Sequence, residues 1–488
     1  MTYTELLEKQ ITDRLKIDNP WWITDVIPTY LSEMQPRMYL DIFYPIATNS
    51  NIRRAVVLMG PRRVGKTVML YHTIQRLINE GVPSRNIIYV SVETPIYNGI
   101  ALEQLFTLAK QIVGKADAND EKFYVFFDEI QYLKDWEIHL KSLVDTYYNT
   151  KFVVSGSAAA ALKKQSNESG AGRFTDFSLP PLTFFEYVHL KGLRNNLKTQ
   201  KMEWSCYNIE AITLPISAQQ FNKAFIDYIN FGGYPEVALR TDMQNDPAQY
   251  VKQDIVDKVL LRDLPSLYGI QDVQELNSLF TMLAYHSGKQ FSYEGLSQES
   301  GVKKETLKKY IQYLEAAFLI KVIHRTDDTA KRFQRETTFK IYLTNPSLRC
   351  ALFQPITEND NEIGDMIETA VYAQWIPRPN VSVNYANWKI NKNEEGEVDI
   401  VGLNVALQKP CWAVEVKWTD RFFERPNDLK SLAFFIEKNK LPGALVTTIT
   451  QAGVKKMPFG ELLFLPTASY AYIVGANTIN QTRFSFGL

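Results

Sequence analysis

Eight residues constrain this chain more than any others: Gly60-Pro-Arg-Arg-Val-Gly-Lys-Thr67, the pattern G-x-x-x-x-G-K-[ST]. An apolar run, Ala55-Val-Val-Leu-Met59, precedes them, and a helical stretch from Val68 to Ile78 follows. In that order, strand then glycine-bounded loop then helix, backbone N–H groups converge on phosphate oxygens and the helix N-terminus adds partial positive charge. Gly60, Pro61, Arg62, Arg63, Val64, Gly65, Lys66, Thr67 and Val68 are therefore the candidate nucleotide-binding residues. Lys66 is expected to reach the β- and γ-phosphates and the Thr67 hydroxyl to ligate magnesium, which makes ATP and Mg2+ the expected cofactors.

Three further runs share the character of the first: Asn86-Ile-Ile-Tyr-Val-Ser-Val92, Phe123-Tyr-Val-Phe-Phe127 and Lys151-Phe-Val-Val-Ser155. Each is nearly continuous in apolar residues, as parallel strands covered on both faces require. Their spacing of roughly thirty residues leaves room for one crossover helix each. The third run ends in Asp128-Glu129, which delivers carboxylates to the edge of the sheet where phosphates bind. Asp128 is the expected magnesium ligand, and Glu129 the group that polarises an attacking water. The fourth run ends in Ser155-Gly-Ser157, where Ser155, and after it Ser157, could contact the γ-phosphate or that water. Arg173 is a candidate charge-stabilising arginine, in cis or from a neighbouring copy in a homo-oligomer.

At 488 residues, two to four domains are expected. Lys plus Arg (54) balances Asp plus Glu (54), so only local charge can argue for a nucleic-acid partner. Cys206, Cys350 and Cys411 lack the short pair spacing of a zinc module or disulfide framework. No membrane-length apolar run and no signal-peptide pattern is visible, so the expected location is the cytoplasm.

From about residue 215 to 345 the pattern turns mostly helical. Phe291 to Glu315 reads as a helix-turn-helix, with a short helix from Ser292, a turn at Gly301 and a second helix carrying Leu307, Ile311, Leu314 and Phe318 on one face. A β-like pair, Ile320-Lys-Val-Ile323 and Phe339-Lys-Ile-Tyr-Leu343, would form a wing. Between Gly301 and Lys340 stand ten Lys/Arg against five acids. Lys303, Lys304 and Lys308 lie where major-groove or phosphate contacts are made, so double-stranded DNA is the expected partner.

Beyond about residue 360, a helix (Glu362 to Trp375) precedes alternating strands. Fifteen residues separate Asp399 from Glu415, and Lys417 follows on the same strand face. Two carboxylates can hold a hard cation, and the lysine can orient a water or stabilise phosphate charge. Glu368 on the preceding helix is a further candidate ligand. The pattern D-x(15)-E-x-K is similar to the core of PD-(D/E)xK nucleases.

Taken in order, these pieces resemble the bacterial and archaeal AAA-type ATPase family with a C-terminal DUF4143 domain. The resemblance rests on Gly60–Thr67, Phe127-Asp-Glu-Ile-Gln131, Ser155-Gly-Ser157, Gly172-Arg173, Leu179-Pro-Pro-Leu-Thr-Phe-Phe-Glu-Tyr187, Gly232-Gly-Tyr-Pro-Glu236, Arg262-Asp263, Glu397-Val-Asp399 and Glu415-Val-Lys417. It implies an α/β chain: a P-loop AAA-type ATPase domain with an N-terminal extension (1–205), a helical lid and winged helix-turn-helix (206–350), and a restriction-endonuclease-like α/β domain (351–488). The expected function is ATP hydrolysis that governs DNA engagement, with a metal-dependent nuclease at the C-terminus. The alternative is an ATP-gated DNA-binding or regulatory switch whose end domain is catalytically inert. Trp418, where a small polar residue would be expected, is a departure from the pattern.

Overall fold

The computed structural model describes residues 3–116, 121–157, 172–327, 338–378, 381–391, 394–404 and 406–485. Contacts divide the described residues into two units, one up to Pro180 and one from Pro181 to Ser485.

The first unit is built on β1 (Ala55–Met59), β2 (Ile87–Ser91), β3 (Phe123–Asp128), β4 (Thr150–Gly156) and β5 (Phe174–Ser178), in the order β2-β3-β4-β1-β5. Every neighbouring pair is parallel. Val56, Val57 and Leu58 of β1 and Val125, Phe126 and Phe127 of β3 are fully buried, as expected of strands covered on both faces. Because β1 and β3 both flank β4, the loop after β1 and the carboxylates ending β3 emerge at the same sheet edge, on either side of the end of β4.

An N-terminal segment covers the edge strand β2. The side chain of Asn19 accepts from the Tyr89 N–H (2.7 Å) and donates to the Tyr89 carbonyl (2.8 Å). The indole N–H groups of Trp21 and Trp22 both donate to the Ile87 carbonyl. An open strand edge, with its unpaired donors and acceptors, is thereby satisfied by side chains instead of another strand.

The second unit carries a two-stranded hairpin, β6 (Leu197–Trp204) with β7 (Ile209–Pro215), and one nine-stranded sheet. The sheet comprises β8 (Gln290–Ser292), β9 (Ile320–Thr326), β10 (Thr338–Leu343), β11 (Val383–Asn391), β12 (Glu394–Leu403), β13 (Pro410–Glu415), β14 (Gly443–Thr448), β15 (Gly453–Met457) and β16 (Gly460–Pro466). Their order is β15-β16-β14-β13-β12-β11-β9-β10-β8. Helix Tyr293–Ser300, a Gly301 in the left-handed region and helix Lys304–Ala316 stand between β8 and β9. Ser292 caps the first helix, accepting from the Gly295 N–H.

The expected boundary near 350 does not separate two sheets. Tyr385 and Ala386 of β11 pair in parallel with Arg325 and Thr326 of β9, which fuses the helix-turn-helix hairpin to the C-terminal strands. Two apolar clusters pack the C-terminal strands. One joins Ile400, Val414 and Leu463 to helices Ala218–Phe231, Ile363–Trp375 and Thr467–Ser485. The other joins Val401, Ala413 and Val446 to helix Lys430–Asn439.

Candidate functional site

In the first unit the loop Gly60–Gly65 leads directly into helix Lys66–Asn79. Gly65 adopts φ +94°, and a Cβ on Gly60 would lie 2.2 Å from the Leu179 carbonyl oxygen, so glycine is needed at both ends of the loop. The buried guanidinium of Arg37 braces the loop from below, donating to the carbonyls of Val64 (2.7 Å) and Pro180 (3.1 Å). Lys66 is buried, its ammonium on the carbonyl oxygens of Gly60 (3.1 Å) and Pro61 (2.8 Å).

Asp128 ends β3 beside this loop and is saturated with donors. Its Oδ2 accepts from the hydroxyls of Thr67 (2.7 Å) and Tyr89 (2.8 Å). Its Oδ1 accepts from the Ser155 hydroxyl and from the Glu129 N–H (3.1 Å). Burial and then the charge of Glu129 raise the Asp128 carboxyl above its ordinary value, while the three hydroxyl donors oppose that shift. A carboxylate and a hydroxyl 2.7 Å apart beside the loop are hard oxygen donors of the kind magnesium takes. Glu129 follows at φ +54°, a left-handed conformation uncommon for a non-glycine residue, and its carboxylate accepts from the Gln131 side chain.

Ser155 is fully buried and its hydroxyl donates to Asp128. Arg173 lies at the start of β5, its carbonyl accepting from the Ala55 N–H and its guanidinium paired with Asp145 at 2.6 Å. That is the sheet edge opposite the loop, a full strand length away, so Arg173 does not serve the nucleotide site of its own chain. Ser157, by contrast, meets the site through its N–H, which donates to Gln131 (3.2 Å). Tyr89, Asn19 and Gln131 were not singled out from sequence as site residues. For Gln131 a signal existed, its place two residues after Glu129.

The second unit brings Glu368, Asp399, Glu415 and Lys417 together. The Lys417 ammonium pairs with Glu415 (2.8 Å) and Asp399 (3.4 Å), and the Val416 N–H donates to Asp399 (2.7 Å). Thr447 fixes the backbone of Lys417, accepting from its N–H and donating to its carbonyl. Glu415 Oε2 is buried without a hydrogen-bond partner. Burial and the neighbouring Asp399 push the Glu415 carboxyl up to about 8. Two adjoining carboxylates with one orphaned oxygen suit a divalent cation bound by few protein ligands.

Glu368 belongs to the same charge network. It pairs with Lys340 (3.0 Å) and accepts from the Tyr342 hydroxyl, both on β10, while Lys340 also reaches Glu397 at 2.8 Å. Burial works against the charge on Lys340, but Glu368, Glu397 and Asp399 outweigh it and hold the ammonium well above its usual range. Among the described residues, no three His, Cys, Asp or Glu side chains form a ready metal-holding group; ammonium groups alternate with the carboxylates. Trp418 does not intrude, since its ring packs toward Phe225 and the apolar cluster.

The local basic charge is smaller than the sequence count. Lys340 is buried in the network above, Lys321 pairs with Glu315, and Arg325 donates to the Asn387 carbonyl. Lys331, Arg332 and Arg335 lie outside the described residues. Lys303 is exposed at the helix start, whereas Lys304 pairs with Glu294 and Lys308 with Glu305. No helix among the described residues is long and apolar enough to cross a membrane.

Comparison with known proteins matches two regions of the chain. A family model described as an AAA domain matches residues 52–188. A second model, a domain of unknown function (DUF8612), matches 222–360, where the resemblance had implied DUF4143 as the companion domain. An uncharacterized protein of Haemophilus influenzae is 27% identical over 298 residues, covering 60% of this chain and 68% of that protein. One from Methanocaldococcus jannaschii is 24% identical over 361 residues, covering 73% and 74%. Similar solved structures include the Aeropyrum pernix ORC1 protein in complex with DNA, at 11% identity and TM-score 0.32 over 68% of this chain and 95% of that one. Another is AMPPCP-bound DnaA from Aquifex aeolicus, at 12% and 0.28 over 59% and 92%. The AAA-domain match lies on the five-stranded parallel sheet, its glycine loop and Asp128.

Proposed function

We propose that the first unit hydrolyses ATP with magnesium, and that the second is its DNA-directed output, a winged helix joined to a PD-(D/E)xK-type nuclease. The saturated Asp128 beside Lys66 and Glu129 carries the first half. The carbonyls that hold Lys66 are weaker partners than charged phosphate oxygens, so nucleotide draws its ammonium onto the phosphates. Thr67 and Asp128 would hold magnesium, which supplies neutralisation of phosphate charge. Glu129 takes a proton from the attacking water, and Gln131 holds its carboxylate in place. Arg173 could serve only a neighbouring copy of the chain.

In the second unit, Asp399 and Glu415 would hold the cation, with Glu368 close by. The cation would polarise a phosphodiester. Lys417, fixed by Thr447, orients water or stabilises phosphate charge. The exposed Lys303, with Lys304 and Lys308 exchanging Glu294 and Glu305 for phosphates, forms the duplex-DNA contact.

A second reading draws on the alternation of ammonium groups with the carboxylates: an ATP-gated DNA-binding switch with an inert end domain. ATP hydrolysis and plasmid cleavage in Mg2+ or Mn2+ separate the two, measured for wild type, Lys66→Ala and the double variant Asp399→Ala/Lys417→Ala. Cleavage lost in the double variant while its ATP hydrolysis persists supports the nuclease. DNA-stimulated hydrolysis without cleavage by any form supports the switch.

A further inference from the structure

Tyr89 is buried in edge strand β2, yet its hydroxyl bonds the carboxylate that the ATPase reading assigns to magnesium. Its ring lies against Tyr71 of the helix that follows the glycine loop, with centroids 4.8 Å apart. Tyr71 stands four residues after Thr67 on that helix, hence on the same face. The backbone of Tyr89 is gripped on both polar atoms by the Asn19 amide, which is itself buried and also bonds the Leu15 carbonyl. A phenylalanine would fill the same apolar space without placing a hydroxyl where it must be satisfied. Packing alone therefore does not call for the tyrosine.

Asp128 Oδ2 takes two hydroxyl donors of different standing. Thr67 belongs to the loop whose contacts change when nucleotide binds, and its oxygen is itself the expected metal ligand. Tyr89 sits outside that loop, on a strand pinned by Asn19. We infer that Asn19 and Tyr89 form a positioning relay, through which the N-terminal segment holds Asp128 in the orientation that receives magnesium. The inference rests on the ATPase reading and adds to it residues outside the matched AAA region (Asn19) and outside the glycine-loop and strand-end motifs (Tyr89). Neither residue touches substrate; both act on Asp128.

The test compares full-length wild type, Tyr89→Phe, Asn19→Ala and the double variant. Binding of a fluorescent ATP analogue is titrated with EDTA and with increasing Mg2+, alongside steady-state hydrolysis and thermal melting. Tyr89→Phe is expected to bind nucleotide normally in EDTA. Its Mg2+ requirement for half-maximal binding should rise about tenfold, the effect of one hydrogen bond to a charged group. Its kcat should fall while KM for nucleotide at saturating Mg2+ stays near wild type. Asn19→Ala should move the Mg2+ requirement the same way and add nothing in the Tyr89→Phe background. A Tyr89→Phe protein with wild-type Mg2+ dependence overturns the relay while leaving the ATPase reading intact. Equal losses with and without metal, tracking a lower melting temperature, also overturn it, because they mark a structural role only. A wild-type chain that binds no nucleotide in either condition removes the ATPase reading and the relay with it.

Discussion

Lys340→Met cuts the buried charge network of the second unit at its centre. Lys340 is 4% exposed and its ammonium lies 3.0 Å from Glu368 and 2.8 Å from Glu397. Methionine keeps much of the apolar stem and removes the charge. Removing one member of a buried pair leaves an uncompensated ion and costs about 3–5 kcal/mol. For a unit of this size that corresponds to a melting shift of about 5–8 °C. The loss must depend on pH. Glu368 already has a raised carboxyl pKa through burial, opposed by Lys340, and removing the lysine raises it further. The folded state then holds that proton more readily than the unfolded chain, so stability falls as pH climbs above the ordinary glutamate range. The deficit should accordingly be smaller at pH 5 than at pH 8. Calorimetry at both pH values, with urea unfolding of the same pair, provides the measurement. A loss below about 1 kcal/mol, or an equal loss at both pH values, would refute a buried, charge-balancing Lys340.

Arg37→Ala removes two hydrogen bonds that brace the glycine loop and should weaken nucleotide binding as well as lower stability by about 2–3 kcal/mol, measurable by analogue titration and urea unfolding. Glu415 has its carboxyl pushed up to about 8, so its folded state binds a proton more readily than the unfolded chain, and its contribution to stability declines from about pH 4.5 to about 8. Glu415→Gln should flatten that decline, and millimolar Mn2+ should raise the melting temperature of wild type but not of this variant. Lys303→Ala should weaken binding to duplexes of unrelated sequence alike and reduce the log–log salt slope by about one, read from mobility-shift titrations at several salt concentrations.

Legibility from sequence followed the range of the contacts involved. Gly60–Thr67 and Asp128 could be read because their chemistry lies at the ends of apolar runs that specify the strands. Asp399, Glu415 and Lys417 could be read because strand alternation and one crossing bring them together, and the structure places Lys417 between the other two. Tyr89 could not, because its role comes from a strand neighbour and is hidden in an apolar run whose tyrosine looks like packing. Lys340 was misread for a related reason: counting charge along a segment treats every lysine as exposed, and this one is buried between Glu368 and Glu397. The single nine-stranded sheet depends on parallel pairing of β9 with β11, about sixty residues apart, which no local pattern announces. Whether Arg173 could act in cis was not legible either, since that depends on which end of β5 it adjoins, and it precedes the end away from the nucleotide loop.

Hydrolysis at the Gly60–Thr67 loop depends on Glu129, and Glu129→Gln separates it from nucleotide binding. That substitution keeps the size of the side chain and removes the carboxylate that accepts the water's proton. Phosphate release from ATP and Mg2+ is measured for wild type and Glu129→Gln, together with binding of a fluorescent ATP analogue. Wild type is expected to release phosphate in a Mg2+-dependent way, and the variant to lose at least about a hundredfold while retaining nucleotide binding. Release by Glu129→Gln at the wild-type rate, or none by a wild type that binds nucleotide, would contradict this expectation.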